Sequence, residues 1–241
     1  ARQLTFGDQL AQSPNMSPDG GSIVFQMTES DPLKSLGQIV YMIRRDGSGQ
    51  RPITSGELAA RVPRWSPNGK WIAYHARSQS EPFDSSKVFL LDAANPGTPK
   101  YIGRGGSVNW IDDNSMMVTR FAGSLLTFVD GSPQRKIFED STFAVPALDG
   151  KYILFFDNHV GKGGLYIVQA GETSAKAKKL LAADNVNVLS IIGKNCYYMN
   201  EANQLMRLNV LTGRSEIVKG AFPGLSIGSS GQIHPHEKEI V

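Results

Sequence analysis

A turn built on Ser-Pro-Asp-Gly, followed at once by a short apolar strand, recurs along this chain. Repetition of that kind decides fold class before any other feature. It runs Ser17-Pro18-Asp19-Gly20 into Ser22-Ile23-Val24-Phe25, and Trp65-Ser66-Pro67-Asn68-Gly69-Lys70 into Trp71-Ile72-Ala73-Tyr74. Weaker copies are Trp110-Ile111-Asp112-Asp113-Asn114 before Met116-Met117-Val118-Thr119, Leu148-Asp149-Gly150-Lys151 before Tyr152-Ile153-Leu154-Phe155-Phe156, Ile192-Gly193-Lys194 before Asn195-Cys196-Tyr197-Tyr198, and His234-Pro235-His236-Glu237-Lys238 before Glu239-Ile240-Val241. Aligned on Gly21, Lys70, Ser115, Lys151, Lys194 and Lys238, the copies are 49, 45, 36, 43 and 44 residues apart. A period in the forties with strand signals throughout predicts four-stranded propeller blades. The turn chemistry agrees: Pro presets φ, Asp or Asn bonds its own backbone, and Gly takes positive φ.

The remaining strands of each unit are also legible. A third strand is expected near residues 38–43, 87–91, 125–129, 165–168 and 204–209, and a fourth, more polar one near 51–54, 136–138, 178–181 and 216–218. Pro52 suits an edge strand, since it cannot donate to a central ladder. The stretch 173–183 holds helix formers but reads as a loop into a fourth strand, and no segment reads as an amphipathic helix. The expected architecture is therefore all-β: one domain over residues 1–241, a six-bladed propeller of four-stranded antiparallel blades whose last blade is incomplete. Arg2-Gln3-Leu4-Thr5 looks like Arg51-Pro52-Ile53-Thr54 and is expected to close the last blade as its fourth strand. The chain begins at Ala1 and its sixth repeat stops at Val241, so it is read as part of a longer polypeptide.

Composition bounds the partners. Hydrophobic residues make up 40% of the 241 and charged residues 20%, enough to bury a core and unlike a disordered chain. The formal charge of +3 is spread evenly, so nucleic acid is not an expected partner. The single cysteine, Cys196, permits neither an intramolecular disulfide nor a cysteine-based zinc site. No apolar run approaches the roughly 18 residues of a membrane span.

The string Pro63-Arg64-Trp65-Ser66-Pro67-Asn68-Gly69-Lys70-Trp71-Ile72-Ala73-Tyr74, with Tyr41-Met42-Ile43-Arg44-Arg45-Asp46-Gly47, resembles the WD-like repeat of the TolB-like six-bladed β-propeller family. The resemblance reaches nearly the whole chain through six copies. Family members include periplasmic TolB, the gating propellers of prolyl-oligopeptidase-like peptidases, propellers attached to bacterial regulators, and a few lyases. The chain shows no counterpart of TolB's separate α/β domain and has no room for a hydrolase domain, so it is read as a family propeller rather than TolB itself. The resemblance implies a bacterial, periplasmic or otherwise extracytoplasmic protein. It implies the fold strongly and an activity hardly at all.

Several motifs invite chemistry. Gly224-Leu225-Ser226-Ile227-Gly228 fits the nucleophile-elbow pattern, but only 13 residues follow it, too few for the Asp and His that must come after. It reads as a turn between blades. His234 and His236, near Gln232, form a metal-like cluster. The resemblance to propeller lyases that bind a divalent metal through His and Gln makes these two residues the candidate ligands, but the cluster departs from that pattern, sits on the repeat's turn and is read as its diverged copy, so no metal is expected. His75 and His159 lie in other blades and read as lone surface or rim residues. Gly103-Arg104-Gly105-Gly106-Ser107 and Gly161-Lys162-Gly163-Gly164 lack the strand–turn–helix setting of a phosphate loop and read as connections. Asn15-Met16-Ser17 is a sequon in letters only, and Lys176-Ala177-Lys178-Lys179 reads as a solvated edge. Trp65 and Trp110 hold equivalent repeat positions and are expected between blades.

Loop lengths point to a binding face. The connections between second and third strands are long at residues 28–37 and 78–86 but short at 122–124. Variable loops on a rigid scaffold are where binding sits. The expected rim is Glu29, Asp31, Lys34, Arg77, Glu81, Asp84, Arg120, Asp157, Asn158 and Glu201. Two functions stand: a non-enzymatic module that docks a protein or senses a ligand, and a metal-assisted polysaccharide lyase or hydrolase-associated propeller. The first is the expectation, with no catalytic residues and no cofactor.

Overall fold

The repeated turns close as their side chains dictate. In the first, Ser17 N–H donates to Ser22 O at 2.8 Å and Gly20 N–H to Ser17 O at 2.9 Å. The Asp19 carboxylate accepts from Ser17 Oγ at 2.5 Å and from Gly21 N–H at 3.0 Å, while Ser17 Oγ accepts from Ser22 N–H at 2.9 Å. The second copy repeats each bond with Ser66, Asn68, Lys70 and Trp71. Gly20 and Gly69 take φ of 73° and 71°, which a β-carbon would resist. In the third copy Ile111 N–H reaches Ser115 O after four residues rather than five. Ser115 therefore stands where Trp71 does, not where Lys70 does, and this turn is one residue shorter than the sequence alignment implies.

These turns join the strands of a computed structural model that describes residues 4, 10–28, 37–78, 80–82, 85–120, 123–138, 144–157, 163–182, 187–200, 202 and 204–218. Among these residues, five four-stranded sheets follow one another in chain order, each with its strands in sequence. The first holds β1 (Ala11–Met16), β2 (Ser22–Met27), β3 (Ile39–Arg44) and β4 (Arg51–Pro52). The second holds β5 (Ala59–Trp65), β6 (Trp71–Arg77), β7 (Lys87–Asp92) and β8 (Lys100–Arg104). The third holds β9 (Val108–Trp110), β10 (Ser115–Arg120), β11 (Gly123–Phe128) and β12 (Arg135–Phe138). The fourth holds β13 (Ala144–Ala147), β14 (Tyr152–Asp157), β15 (Gly164–Gln169) and β16 (Lys178–Ala182), and the fifth β17 (Asn187–Ile192), β18 (Asn195–Met199), β19 (Leu205–Asn209) and β20 (Ser215–Ile217). The pairings are antiparallel and join strands in sequence order, so the sheets are blade-type meanders. The stretch before β16 makes one 3-10 turn, Ser174–Lys176. Among the described residues no helix is long and apolar enough to cross a membrane.

Two expectations about connections are corrected. β11 begins at Gly123, so the short connection is 121–122 rather than 122–124. Gly103, Arg104 and Gly164 belong to strands, where the glycines let neighbouring chains approach: a β-carbon on Gly164 would lie 2.4 Å from Leu181 O. The sixth repeat and its His234 and His236, with residues 2, 3 and 5 of the expected closing strand, lie outside the described residues. Leu4 packs against the first blade's cluster of Met16, Ile23, Phe25, Met27 and Ile43.

Two compact units are distinguished, one holding the first two sheets with β9 and β10, the other the fourth and fifth sheets. In the first unit, Val24 and Val40 meet Ile72, Tyr74, Ala76 and Leu91 between the first and second blades. Ala73, Val88 and Leu90 point the other way, onto Val108, Met116 and Val118 of the third. In the second unit, Leu154, Leu165 and Ile167 meet Cys196, Tyr198 and Leu208. Middle strands buried on both faces explain why their sequences read as unbroken apolar runs. Trp65 packs on the first of these clusters and Trp110 on the second, both in contacts between blades.

The first strand carries a bulge in the first, second and fifth blades. The ladder shifts between Gln12 and Asn15 in β1, between Arg61 and Arg64 in β5, and between Val188 and Ser190 in β17. Ser13 and Val62 sit at φ of 53° and 50° within the first two. A bulge takes an N–H out of the ladder, and a buried N–H requires an acceptor. The first blade supplies it: Gln26 Oε1 accepts from Val62 N–H at 2.9 Å, and Asn15 Oδ1 from Trp65 N–H at 2.6 Å. Asn15 is thus a buried structural acceptor, which accounts for its sequon-like letters.

Candidate functional site

The second blade builds the part of the expected rim that is best described. Arg77 ends β6 and is half-buried; its Nη1 donates to Ser78 O at 3.1 Å and also to Glu81 O. Glu81 is exposed, and its carboxylate accepts from Ser78 N–H at 3.1 Å. Ser85 closes the other half of the connection through its N–H and Oγ, both onto Pro82 O, at 3.0 and 2.6 Å. The loop after β6 is therefore pinned to its own strand by Arg77. Arg120 holds the corresponding end of β10 in the third blade and is half-buried. Asp157 ends β14, opposite Gly164. Glu29, Asp31, Lys34, Asp84, Asn158 and Glu201 lie outside the described residues, as does His159.

His75 is corrected from a lone rim residue to a buried one, 3% exposed. It stands directly opposite Arg61 across β5 and β6. Burial, then the charges of Arg61, Arg77 and Arg64, push its imidazole down to about 3, so it is neutral at physiological pH. Burial lowers Arg64 to about 10, and burial and Arg77 lower Arg61 as well. Each still carries its charge near neutrality. Arg64 Nη1 donates to Pro63 O at 3.0 Å, and its carbonyl accepts from Trp110 Nε1 at 3.1 Å. Arg61 and Arg64 stand beside His75, and sequence reading passes over them. The available signal is His75-Ala76-Arg77, whose spacing of two puts both polar side chains on one face of a strand.

A concavity of about 660 Å³ lies on the fifth blade, lined by Lys194, Arg207, Arg214 and Glu216 among others. Arg207 Nε donates to Glu216 Oε1 at 2.9 Å, closing an ion pair across β19 and β20. These side chains are largely solvated, so the pair adds little stability. Among the described residues, no three His, Cys, Asp or Glu side chains cluster as metal ligands would. Cys196 is buried, its thiol pushed up to about 12.

No family model and no curated protein sequence matches the chain. Solved structures do. TolB from Acinetobacter baumannii superposes with a TM-score of 0.62 at 17% identity, over 83% of this chain and 53% of that one. A puromycin-hydrolyzing peptidase of Mycobacterium tuberculosis gives 0.62 at 15%, over 87% and 38%. The β-propeller domain of the Trilobed protease from Pyrococcus furiosus, described as having an open velcro topology, gives 0.62 at 15%, over 87% and 71%. At such identities the likeness shows the fold: an all-β propeller of four-stranded antiparallel blades, similar to TolB-like and prolyl-oligopeptidase propellers. The chain spans about half of the TolB chain and less of the peptidase.

Proposed function

We propose that this chain is one domain, a six-bladed propeller with five blades described, that binds a protein or small ligand outside the cytoplasm and performs no catalysis itself. The observation that carries the reading is the connection after β6. It is long, braced by Arg77 and its own serines, and set at the end of a rigid blade beside charged side chains. Such a loop offers a shaped surface at little ordering cost on binding. The expected binding rim is the face bearing residues 28–37 and 78–86. A second reading, a propeller serving a hydrolase, is favoured by the superposition on part of a larger peptidase chain.

The test is a cross-linking and capture screen on the intact protein, repeated with loops 28–37 and 78–86 cut to the two-residue length at 121–122. Loss of the captured partner with retained melting behaviour is the expected result. Undiminished capture would place the binding face elsewhere.

A further inference from the structure

The fifth blade carries polar groups in two rows on one face. Directly opposed residues of antiparallel strands project to the same side of the sheet. Asn195 stands opposite Asn209, and the bond from Asn209 N–H to Arg214 O at 2.9 Å carries the ladder on to Arg214. The next row on that side is Tyr197, Arg207 and Glu216. Cys196, Tyr198 and Leu208 alternate to the other side, where they pack against the fourth blade. Lys194 precedes the first row, and its carbonyl accepts from Val210 N–H at 2.9 Å. Lys194 and Arg214 therefore leave the backbone on either side of β19, two strand spacings or about 10 Å apart. Both line the concavity of about 660 Å³, and Asn209 lies between them.

The bonds around the concavity fix what it offers. Asn209 Oδ1 accepts from Leu211 N–H at 3.1 Å and from Thr212 N–H at 3.2 Å, so its amide turns the NH2 away from the turn. Thr212 Oγ1 accepts from Arg214 N–H at 3.3 Å, which leaves its O–H to donate. The Glu216 carboxylate accepts from Arg207 Nε at 2.9 Å, and Arg207 also bonds Tyr197. Among the described residues, Lys194 and Arg214 have no ion-pair partner. The described lining holds three cations, Lys194, Arg207 and Arg214, against one carboxylate, an excess of two positive charges. One solvated cation needs no partner. Two that reach over a recess from either side of a fixed amide donor concentrate a positive field there.

We propose that Lys194, Asn209, Thr212 and Arg214 form a recognition site for a phosphate group at the tight-turn end of the fifth blade. A phosphate carries about −1.5 to −2 at neutral pH and three strong acceptor oxygens. That charge matches the excess on the lining, and the three oxygens match donors that arrive from β18, β19 and the β19–β20 turn. A carboxylate, with one charge and two oxygens in a plane, leaves one cation unanswered. Arg214 would meet the phosphate as a fork and Lys194 as a point charge. The volume falls within the roughly 300–1,000 Å³ of small-molecule sites, which leaves room for an organic body on the phosphate. The fifth blade builds this site alone, so it does not rest on the reading of loops 28–37 and 78–86. The phosphate has two possible sources, the free ion and a small phosphate ester.

The experiment is isothermal titration of the intact protein, in a phosphate-free buffer of low ionic strength, with glucose 6-phosphate, inorganic phosphate, glucose and succinate. The sugar phosphate is expected to bind and glucose is not. Lys194→Gln and Arg214→Gln, both at exposed positions, are each expected to weaken binding about fivefold or more. Arg214→Lys, which keeps the charge and loses the fork, should weaken it by a smaller factor. Lys151→Gln, at the same repeat position in the fourth blade, should change nothing. Equal binding of the two phosphates assigns the site to the phosphate group whatever carries it, and tighter binding of the sugar phosphate assigns it to an ester. No phosphate binding by the unaltered protein at millimolar concentration, tighter binding of succinate, or folded Lys194 and Arg214 variants that bind like the parent would each overturn the assignment. Equal weakening by Lys151→Gln would do the same. Phosphate binding with capture that ignores the loops would sink the loop reading alone. Loop-dependent capture without phosphate binding would sink this one alone.

Discussion

His75 shows how position within a repeat sets the chemistry of a residue. It stands in β6 where Gln26 stands in β2, two places beyond the equivalent residues Ala73 and Val24. Gln26 serves the neighbouring blade as a neutral hydrogen-bonding group. An imidazole can do so only while unprotonated, and its depressed value near 3 keeps it so. The unfolded chain protonates this ring near its ordinary value of about 6.5. Between those two values the unfolded state holds the extra proton, so stability rises with pH across that window. His75 thus contributes its full stability above about 6.5 and loses it as pH falls toward about 3. Urea denaturation at pH 7, 6, 5 and 4 should show a decline of up to about 1.4 kcal/mol per unit from this residue. His75→Gln should flatten that part of the profile. An identical slope in the variant would show that other groups govern the acid limb.

At the scale of the element, the strands are regular where their middles are apolar and irregular where they meet a neighbour. The entry to β9 is one such place. Gly105 lies between β8 and β9 at φ of 149°, and a β-carbon there would come within 2.1 Å of Val118 Cγ1. Its N–H donates to Ser86 O at 2.9 Å, and the next residue's N–H donates to Thr119 O at 2.9 Å, so the chain cannot draw back without losing both. Gly105→Ala should destabilise the fold by about 1–3 kcal/mol, as overpacked cores do. Thermal melting checks it; Gly131→Ala is a useful control, since nothing lies within 4 Å of its added carbon although its φ of 88° is itself unfavourable. A larger loss at Gly131 than at Gly105 would show that backbone strain, not crowding, sets the cost.

At the scale of the molecule, the core described within each unit consists of joints between neighbouring blades. The middle strands of the second blade are packed on both sides, and such nearest-neighbour packing distributes stability as in other repeat proteins. The joint of Leu154, Leu165, Cys196, Tyr198 and Leu208 holds the fourth and fifth blades together. Leu154 is fully buried, and Leu154→Ala should cost about 2–5 kcal/mol in equilibrium unfolding. Amide exchange should rise first in β14 and β18. A loss below about 1 kcal/mol would mean that the joint collapses readily around the gap.

The blade plan was legible in the sequence because its causes are local. Ser66, Asn68 and Gly69 close their turn through bonds among neighbours, and the run Ile72-Ala73-Tyr74 announces a strand buried on both faces. The turn chemistry carried less in the third blade, where Asp112 alone accepts from both Asn114 and Ser115, and the alignment slipped by one residue. The site was less legible. Arg77 and Glu81 could be placed by loop length, because that length is written in the chain. Arg61 and Arg64 could not, since strict alternation sends them to opposite faces. Only the bulge at Val62, whose N–H is received by Gln26 from another blade, brings them to the same face beside His75. A bulge is a compromise between two ladders that the chain makes only after both have formed. Sequence by itself therefore determined the repeat, its turns and its buried strands, whereas the grouping of the arginines was decided by tertiary packing.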